Sequence, residues 1–311
     1  MYRIGVDLGG TNIAVGIVNG AHQILCAAST PTEVETGPVG VADNISRCIH
    51  DALAAGSLRL EECIGVGIGS PGSCDAHRGV VRNAYNLGWT EVPVCAMLTD
   101  RTGLPARLAN DGDCAALGEV AAGAAKGAGS ALLVTLGTGV GAGLVVDGHI
   151  YAGHRSLGDE FGHMKIALDG EPCTCGQRGC WEAYASATAL IRQAGRAAAA
   201  HPESALNAAK KIDGKAVFDA LAAGDATAKA VVQQYAEYVG VGIVNLVNCL
   251  YPEIILLGGG VAGAGEALLG PVREYVERNI FVRDPELAPP IRGAALGNDA
   301  GIIGAAALFH D

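Results

Sequence analysis

Short apolar segments, either alternating with polar residues or continuous, open the chain. Residues 3–8, 13–18 and 23–29 are typical of strands, and Gly-rich and Asn-Gly turns join them. Residues 37–56 then change to the spacing of a helix, and its apolar positions are Val39, Val41, Ile45, Ile49 and Leu53. The chain is therefore predicted to begin with three consecutive strands followed by a helix.

Strand-like and helix-like segments continue to alternate along the rest of the chain. Further strands are predicted at residues 63–69, 106–109, 130–136, 141–146, 253–257 and 291–296. Further helices are predicted at residues 92–102, 113–122, 186–199, 215–223 and 225–250, then in a segment that runs to Arg278, and finally in a closing helix capped by Asn298 and Asp299. This alternation predicts an α/β fold.

Two hairpins repeat the same order of strand, Gly-Thr turn, strand and Asx-Gly turn. The first turn runs from Asp7 to Asn12, and the second contains Gly137, Thr138 and Gly139. Such a repeat indicates an internal duplication of the kind that forms two similar lobes around a nucleotide. Glycines let backbone amides approach a phosphate, although glycines in tight turns are more often only turn formers.

The two turns also carry side chains that suit a nucleotide phosphate. In the first turn Gly9 and Gly10 leave the backbone amides open, Thr11 adds a hydroxyl, and Asp7 offers a carboxylate for a hydrated magnesium ion. The second phosphate cradle is predicted at Thr135, Gly137 and Thr138.

Four potential metal ligands lie close together in the sequence. They are His163, Cys173, Cys175 and Cys180, at the spacing H-x9-C-x-C-x4-C. One imidazole and three thiolates form a closed tetrahedral set, which suits a structural zinc ion. The alternative is a redox pair or a disulfide. The clustering argues against it, because the other cysteines occur singly in mostly apolar segments, where small buried side chains are expected: Cys26, Cys48, Cys63, Cys74, Cys95, Cys114 and Cys249.

Two glutamates flank these ligands. Glu160 lies three residues before His163, and Glu182 lies two residues after Cys180. Either one alone would normally be a solvated surface carboxylate. A metal that closes the loop would also hold both carboxylates in place, and paired carboxylates can accept hydrogen bonds from the vicinal hydroxyls of a sugar.

Composition and charge exclude several classes of function. The 311 residues include 21 basic and 32 acidic side chains, and the net charge of −11 disfavours a nucleic-acid-binding surface. The chain opens with a strand-like segment, so no signal peptide is expected, and ten cysteines without one indicate a reducing compartment. The apolar run at residues 239–250 is too short to span a bilayer and is predicted to be a buried helix.

Two turns match the dinucleotide-binding pattern G-x-G-x-x-G. The turn at residues 67–72 does not open a helix, so it fails the context that the pattern requires. The turn that starts with Gly258, Gly259 and Gly260 lies between a strand and a helix, but the acidic residue expected after the next strand is not evident. An NAD-dependent oxidoreductase therefore stays a remote alternative that depends on this turn alone.

The segment around the metal ligands resembles a known signature. It is similar to the E-x-G-H and C-x-C-G-x-x-G-C-x-E motifs of the ROK family of sugar kinases, and the matching positions are Glu160, Gly162, His163, Cys173, Cys175, Gly176, Gly179, Cys180 and Glu182. Trp181 and residues 184–186 resemble the glucokinase branch in particular. The first Gly-Thr turn resembles the phosphate motif of the actin-like ATPase superfamily, to which the family belongs, although many relatives carry Lys where Asn12 stands.

The resemblance implies a two-lobed actin-like ATPase fold, which is ribonuclease H-like, with a nucleotide and sugar cleft between the lobes. The N-terminal lobe is expected at residues 1–117 with the closing helix at 298–311, and the C-terminal lobe at 118–297 with the zinc loop at 163–180.

The resemblance also implies roles for single residues. Asn110 and Asp111 match the family's N-D motif, in which the Asp is the catalytic base and the Asn holds a neighbouring sugar hydroxyl. From the residues alone, the alternative is that Asp111 or Asp113 simply caps the helix. The remaining sugar ligands are expected at Asn83, Glu160, His163 and Glu182, although Asn83, in a loop at residues 82–89, is as well explained by a turn cap. The ATP-binding positions are expected at Asp7, Gly9, Gly10, Thr11, Asn12, Thr135, Gly137, Thr138, Gly258, Gly259 and Gly260.

The activity expected from the resemblance is ATP-dependent phosphorylation of glucose at its 6-hydroxyl, with Mg²⁺ and a structural Zn²⁺. N-acetylmannosamine, N-acetylglucosamine, fructose and mannose are the alternative substrates, because kinases for these sugars share the same catalytic residues. A sugar-sensing regulator of the same family would carry a helix-turn-helix region before the kinase fold, whereas the first strand here is expected at residue 3. A cytoplasmic homodimer without nucleic acid or membrane partners is expected.

Overall fold

The structure is a computed structural model that describes residues 1–309. The chain forms two compact units. The first contains residues 1–133, residues 143–159 and the chain from Ala294 onward, and the second contains residues 134–142 and 160–293. Both units combine helices with a mixed sheet, so the predicted α/β class is confirmed. The lobe boundaries expected from the resemblance stay a prediction.

The elements of the first unit follow the predicted alternation. In chain order they are β1 (Tyr2–Leu8), β2 (Asn12–Val18), β3 (Ile24–Pro31), α1 (Gly37–Ala55), β4 (Cys63–Ser70), β5 (Ser73–Asp75), β6 (Val80–Ala84), β7 (Trp89–Val92), α2 (Val94–Thr102), β8 (Ala106–Asn110) and α3 (Asp111–Ala122). The main sheet has the order β3-β2-β1-β4-β8. Strands β1, β2 and β3 pair antiparallel, and β1, β4 and β8 pair parallel, which is the ribonuclease H-like arrangement that was predicted.

The core of this unit forms where the apolar stripe of α1 meets the sheet. Val41, Ile45 and Ile49 on the helix are fully buried, and so are the inward residues of β1 and β2. Val39 was assigned to the same stripe but is 60% exposed, because it lies in the first turn of α1, ahead of the part of the helix that contributes to the core. Burial of the stripe supplies most of the driving force for packing this helix.

A small antiparallel sheet of β5, β6 and β7 was not predicted from the sequence. Residues 82–89 were assigned to a loop, but they contain the end of β6, a short 3₁₀ helix at Tyr85–Leu87 and the start of β7. Asn83 therefore lies on a strand, where it pairs with Ser73 and Thr90. These strands have only three to five residues each, which is too short to leave a clear periodic signal in the sequence.

The first unit ends with the closing helix α9 (Asp299–Ala307), which lies very close to the main sheet and to α3. A Cβ at Gly5 would lie 2.0 Å from the carbonyl oxygen of Ile302, and a Cβ at Gly67 would lie 1.7 Å from that of Ala305. Only glycine permits this approach. Asn298 precedes the helix as predicted, but its backbone is already helical and its side chain makes no capping hydrogen bond.

A second sheet has the order β11-β10-β9-β12-β13, and the boundary between the two units passes through β9 and β10. The remaining elements are β9 (Ser130–Leu136), β10 (Val140–Val146), β11 (His149–Ile150), α4 (Glu182–Ala185), α5 (Ala187–Ala200), α6 (Gly214–Ala222), α7 (Ala226–Leu250), β12 (Ile254–Gly258), α8 (Glu266–Asn279) and β13 (Ile291–Gly293). The predicted helices are present, whereas the strand predicted at residues 291–296 ends at Gly293.

All ten cysteines are free thiols. Five of the seven that lie outside the metal-ligand motif are buried, as predicted, but Cys26 is only half-buried and Cys249 is exposed. The prediction is wrong for Cys249 because this residue is at the C-terminal end of α7, beyond the buried face of the helix.

Within residues 1–309, no helix has the length and apolar character needed to cross a membrane.

Glu119 of α3 is a buried carboxylate, 1% exposed, that holds the chain segment before α9. It accepts hydrogen bonds from the backbone amides of Ala295, Leu296 and Ala124, each at 2.8 Å. Replacing it with alanine leaves three amides without this partner, so we expect Glu119→Ala to lower the free energy of unfolding by about 3–5 kcal/mol. Urea unfolding followed by circular dichroism measures the change.

The matched control is Glu237→Ala, which removes an exposed glutamate from α7. It is expected to change stability by less than about 0.5 kcal/mol. A loss below about 1 kcal/mol in Glu119→Ala would show that water replaces the carboxylate at little cost.

Candidate active site

Hydrogen bonds within the first Gly-Thr turn and from Thr32 fix the conformation of this turn. Across the turn, the amide of Gly9 donates to the carbonyl of Asn12 at 2.9 Å. From the end of β3, the Thr32 hydroxyl donates to the carbonyl of Gly9 at 2.7 Å, and its amide donates to that of Thr11 at 3.1 Å. Thr32 is fully buried, and sequence analysis missed it because nothing in its local pattern links it to a turn 21 residues earlier.

Two carboxylates predicted for different roles interact at one edge of the main sheet. Asp7 lies near the end of β1, and Asp111 follows the end of β8. Since β1, β4 and β8 are parallel, their carboxyl ends meet at the same edge. Burial, and after it the charge of Asp111, raises the pKa of Asp7 from 3.8 to about 6.

The pKa of Asp111 is also above its usual value. Partial desolvation by the surrounding protein raises it although the residue reaches solvent, while the hydrogen bond from the Gly112 amide, at 2.9 Å, opposes the increase. A Cβ at Gly301 of α9 would lie 2.9 Å from the Asp7 carboxyl carbon, so only glycine fits beside this carboxylate. The arrangement is an acidic pair that a cation or a shared proton would stabilise.

Asn110, not Asp111 or Asp113, occupies the N-cap of α3. Its side-chain oxygen accepts a hydrogen bond from the Gly112 amide at 2.7 Å, which corrects the alternative that either aspartate caps this helix. Its amide nitrogen donates to the carbonyl of Gly72 at 3.0 Å. The backbone of Asn83 packs against the same glycine, since a Cβ at Gly72 would lie 2.1 Å from its carbonyl oxygen. The structure therefore brings both Asn83 and Asn110 into contact with Gly72.

The raised pKa of Asp7 predicts a pH-dependent cost to stability. A carboxyl whose folded-state pKa lies above its unfolded value imposes no penalty below pH 3.8, and the full penalty appears once the pH exceeds about 6. We therefore expect Asp7→Asn to be more stable than the parent by about 1–2 kcal/mol near neutral pH, allowing for the residue's partial exposure. Urea unfolding at several pH values measures the difference, which should shrink as the pH falls towards about 4. A difference that is constant with pH would contradict the assignment.

The second Gly-Thr turn is bound to the start of α5. The amide of Gly137 donates to the carbonyl of Gly139 at 3.0 Å, closing the turn. The Ala187 amide donates to the carbonyl of Gly137 at 2.8 Å, and the Thr188 hydroxyl donates to that of Thr138 at 2.9 Å. Thr135 precedes the turn on β9, where its hydroxyl would lie 2.7 Å from a Cβ at Gly141.

The glycine turn after β12 packs against this second hairpin. Gly259 has φ 81°, and a Cβ there would lie 2.6 Å from the backbone of Leu136 on β9, so both its conformation and its contact require glycine. Gly258 is the last residue of β12, and Gly260 begins a 3₁₀ helix at Gly260–Ala264 that precedes α8. The structure thus brings the second and third predicted nucleotide turns together within one unit.

The four predicted metal ligands form a cluster. One donor atom from each of His163, Cys173, Cys175 and Cys180 lies within 4.8 Å of the others, and this set can hold a metal ion. His163 Nδ1 lies 3.7 Å from Cys173 Sγ, and the sulfurs of Cys175 and Cys180 are 3.7 Å apart. The backbone amide of Gln177 holds the pKa of Cys175 below its usual value, while burial raises the pKa of Cys173 to about 12.

The cluster is directly connected to Glu182. Its Oε1 accepts hydrogen bonds from the Thr174 hydroxyl at 3.0 Å and the Cys173 sulfur at 3.5 Å, and its Oε2 accepts from the Val140 amide at 3.1 Å. Glu160 is exposed and precedes the 3₁₀ turn at Phe161–His163 that carries the imidazole ligand. The metal loop therefore positions Glu182 by hydrogen bonds from Cys173 and Thr174. Glu160 is positioned only by its place in the chain, directly before the turn that carries His163.

Behind the loop, buried aromatic residues anchor α4 to α7. Trp181 is fully buried, its indole nitrogen donates to the carbonyl of Tyr238 at 2.8 Å, and a Cβ at Gly242 would lie 2.0 Å from its ring. The Tyr235 hydroxyl donates to the carbonyl of Ala185 at 2.6 Å. These contacts attach α4, which directly follows the loop, to α7.

The predicted site residues fall into two groups, one in each unit. Asp7, the Gly9–Asn12 turn, Asn83, Asn110 and Asp111 belong to the first unit. The second unit contains the other two nucleotide turns, Glu160, Glu182 and the metal ligands.

A sequence model of the ROK family matches residues 3–311 of this chain. Among curated proteins, the glucokinase of Halalkalibacterium halodurans is 40% identical over 308 residues, which cover 97% of this chain and 93% of the relative.

Solved structures show the same relationship. The crystal structure of a ROK family glucokinase from Streptomyces griseus, in complex with glucose and AMPPNP, is 34% identical with a TM-score of 0.82, and the match covers 99% of both chains. The ROK hexokinase of Thermus thermophilus is 37% identical with a TM-score of 0.81, and the match covers 99% of this chain and 97% of that one.

Proposed function

The chain belongs to the ROK family, and from this premise we propose that it transfers the γ-phosphoryl group of ATP to the 6-hydroxyl of glucose. The observation that carries the proposal is the pairing of Asp7 with Asp111 at the edge of the main sheet, in a chain 40% identical to a glucokinase. Such a site combines a place for a cation with a candidate proton acceptor.

Asp111 is the catalytic base in this proposal. It accepts the proton of the 6-hydroxyl as the oxygen attacks the γ-phosphorus and the bond to the leaving ADP oxygen breaks. Its raised pKa improves its ability to take that proton, and the Gly112 amide fixes the orientation of the carboxylate. The phosphoryl transition state is loose, so positioning contributes more than base strength.

The sugar hydroxyls are assigned to five polar side chains, which are those of Asn83, Asn110, Glu160, His163 and Glu182. His163 directs Nδ1 towards Cys173, so its other ring nitrogen is assigned to a sugar hydroxyl. The fixed carboxylate of Glu182 supports its role as an acceptor, because it needs no reorganisation when the sugar binds.

The nucleotide binds to the glycine turns. Backbone amides of Gly9, Gly10, Thr11, Asn12, Gly137 and Thr138 are assigned to the phosphates, with the Thr135 side chain beside them, and Gly258, Gly259 and Gly260 are assigned to the nucleoside. Asp7 is assigned to Mg²⁺, and the fit is supported by its repulsion from Asp111, which a divalent cation relieves. When bound, Mg²⁺ neutralises charge on the transferred group.

The metal in the cysteine loop is assigned as Zn²⁺. Three sulfurs and one imidazole suit zinc better than magnesium or calcium, which prefer oxygen ligands. Its role is structural, since all four positions are protein ligands and no open position remains for chemistry.

The family resemblance further supports a homodimer, and light scattering on the purified protein tests this oligomeric state. The free cysteines suit the cytoplasm.

A coupled assay of ADP release tests the substrate assignment. Glucose, mannose, fructose, N-acetylglucosamine and N-acetylmannosamine are compared at equal concentration with ATP and Mg²⁺. We expect the largest kcat/KM for glucose. A larger kcat/KM for an acetylamino sugar would transfer the assignment to an N-acetylhexosamine kinase, and no ADP release with any sugar would overturn the kinase assignment.

A further inference from the structure

Each polar group of Thr32 takes part in a hydrogen bond, and two of these bonds reach the first Gly-Thr turn. The hydroxyl donates to the carbonyl of Gly9 at 2.7 Å, and the amide donates to the carbonyl of Thr11 at 3.1 Å. The Thr32 carbonyl accepts from the side chain of Asn44 on α1 at 3.3 Å. Thr32 itself is fully buried, so its hydroxyl acts only on the backbone of the turn and not on a ligand.

These bonds decide where the backbone amides of the turn point. The peptide units here are trans and planar, so the C=O of one residue and the N–H of the next lie on opposite sides of the chain. Because the carbonyls of Gly9 and Thr11 are both directed towards Thr32, the amides of Gly10 and Asn12 are directed away from it. Within residues 1–309, the amides of Gly10 and Thr11 donate to no protein acceptor. Open N–H groups that follow one another in a turn are the arrangement that binds anions.

Asn44 fixes Thr32 from the opposite side. It is 3% exposed and lies on the otherwise apolar buried face of α1. Its amide nitrogen donates to the Thr32 carbonyl and, at 3.0 Å, to the Glu33 carboxylate, and its oxygen accepts from Arg47. A buried amide group is costly unless its hydrogen bonds are made, so these bonds hold Asn44 in one orientation. Thr32 is thereby attached to a helix as well as to the end of β3.

A second buried threonine of the same unit makes a different kind of contact. Thr102 is 8% exposed, and its hydroxyl donates to the carbonyl of Leu98 at 2.8 Å. Both residues belong to α2, so this bond only reinforces one helix. The Thr32 hydroxyl instead acts on a residue 23 positions away, in a turn that has open amides. The same chemical group therefore serves local stability at one position and the orientation of a distant turn at the other.

From these contacts we infer that Thr32 is a positioning residue for the nucleotide, which it does not itself touch. The inference rests on the proposed function, in which the Gly9–Asn12 turn binds the phosphates of ATP. The Thr32 hydroxyl holds the Gly9–Gly10 peptide unit so that the Gly10 amide faces the phosphate. Glycine has wide conformational freedom, so without this bond the peptide unit can rotate and the amide leaves the phosphate. Affinity for ATP then falls, while affinity for glucose does not.

The test removes the hydroxyl and keeps the shape of the side chain. Thr32→Val retains the branched side chain and the amide bond to Thr11, Thr32→Ser restores the hydroxyl, and Thr102→Val makes the same change at the structural threonine. Isothermal titration with AMPPNP and Mg²⁺, without sugar, gives the nucleotide affinity, and the assay of ADP release gives KM for ATP and for glucose. We expect Thr32→Val to raise both the Kd of AMPPNP and KM for ATP by about tenfold. Thr32→Ser and Thr102→Val should stay within about threefold of the parent, and KM for glucose should not change in any variant.

Thr32→Ala is smaller, cannot overpack the core, and gives a second variant should Thr32→Val not fold. The inference is overturned if the folded variant without the hydroxyl keeps the parent's affinity for AMPPNP, or if Thr32→Ser loses as much affinity. An equal rise in KM for glucose would also overturn it, because the effect would then be a general distortion. If neither variant without the hydroxyl folds, Thr32 serves the stability of the fold and the inference is wrong.

The titration separates failure of this inference from failure of the proposed function. It uses no sugar, so a wrong assignment of the sugar leaves it unaffected. If the parent binds AMPPNP and phosphorylates glucose while Thr32→Val binds AMPPNP equally well, only the role of Thr32 is wrong. If the parent neither binds AMPPNP nor releases ADP with any sugar, the proposed function fails and this inference fails with it.

Discussion

Asp111→Asn is expected to lower kcat for glucose phosphorylation by about 10²–10⁴-fold while glucose and ATP still bind. An amide keeps the size of the side chain and its hydrogen bond with the Gly112 amide, but it cannot accept the proton of the sugar hydroxyl. Asn110 already caps α3, so the change does not remove the cap of that helix. Steady-state kinetics with glucose and isothermal titration with glucose separate the loss of turnover from any loss of binding.

The matched control is Asp100→Asn, which neutralises an exposed carboxylate on α2 and is expected to leave kcat unchanged. A second readout follows from the electrostatics. Removing the charge of Asp111 removes one of the two causes that raise the pKa of Asp7, so that pKa should fall. If kcat of Asp111→Asn stays within about tenfold of the parent, the proton is accepted elsewhere.

Cys175→Ser is expected to lower the metal content and the glucose affinity together. Cys175 is an exposed ligand, so the change removes one thiolate from the cluster without opening a cavity in the core. Serine binds zinc poorly compared with a thiolate. The Glu182 carboxylate is bonded to Cys173 and Thr174 of the same loop, so loss of the metal should raise KM for glucose by about 10–100-fold.

Metal content is measured by mass spectrometry after dialysis against a chelator, and KM by the assay of ADP release. Cys249→Ser is the matched control, because it replaces another exposed free cysteine that lies outside the cluster. It should retain both the metal and the KM of the parent. If Cys175→Ser lacks the metal but keeps the KM of the parent, the loop takes its conformation without the ion. If the parent protein itself contains no metal, the assignment of zinc to this cluster is wrong.

The succession of strands and helices was largely predictable because each element carries its own periodic pattern. The three opening strands and helices α1, α3, α5 and α7 were predicted with ends close to those observed, since runs of apolar residues at a period of two or 3.6 depend only on local sequence. The sheet of β5, β6 and β7 was missed for the same reason, because strands of three to five residues are too short to show such a pattern.

The metal cluster was the most predictable part of the candidate site. Its four ligands lie within 18 consecutive residues, and imidazole and thiolate side chains at this spacing have few other uses. Its link to Glu182 was expected as an effect of loop closure, and the structure adds the hydrogen bonds that form the link.

The sequence by itself determined the chemistry that is available: the ligand set, the glycine turns and the acidic residues, each visible in a short motif. Tertiary structure alone decided which of them act on one another. The raised pKa of Asp7 depends partly on the charge of Asp111, which folding brings to the same sheet edge. The contacts of Thr32 with the first turn and of Gly301 with Asp7 also exist only in the folded chain. The physical reason is that electrostatic interaction and close packing depend on distance in space, whereas the motifs depend on distance along the chain.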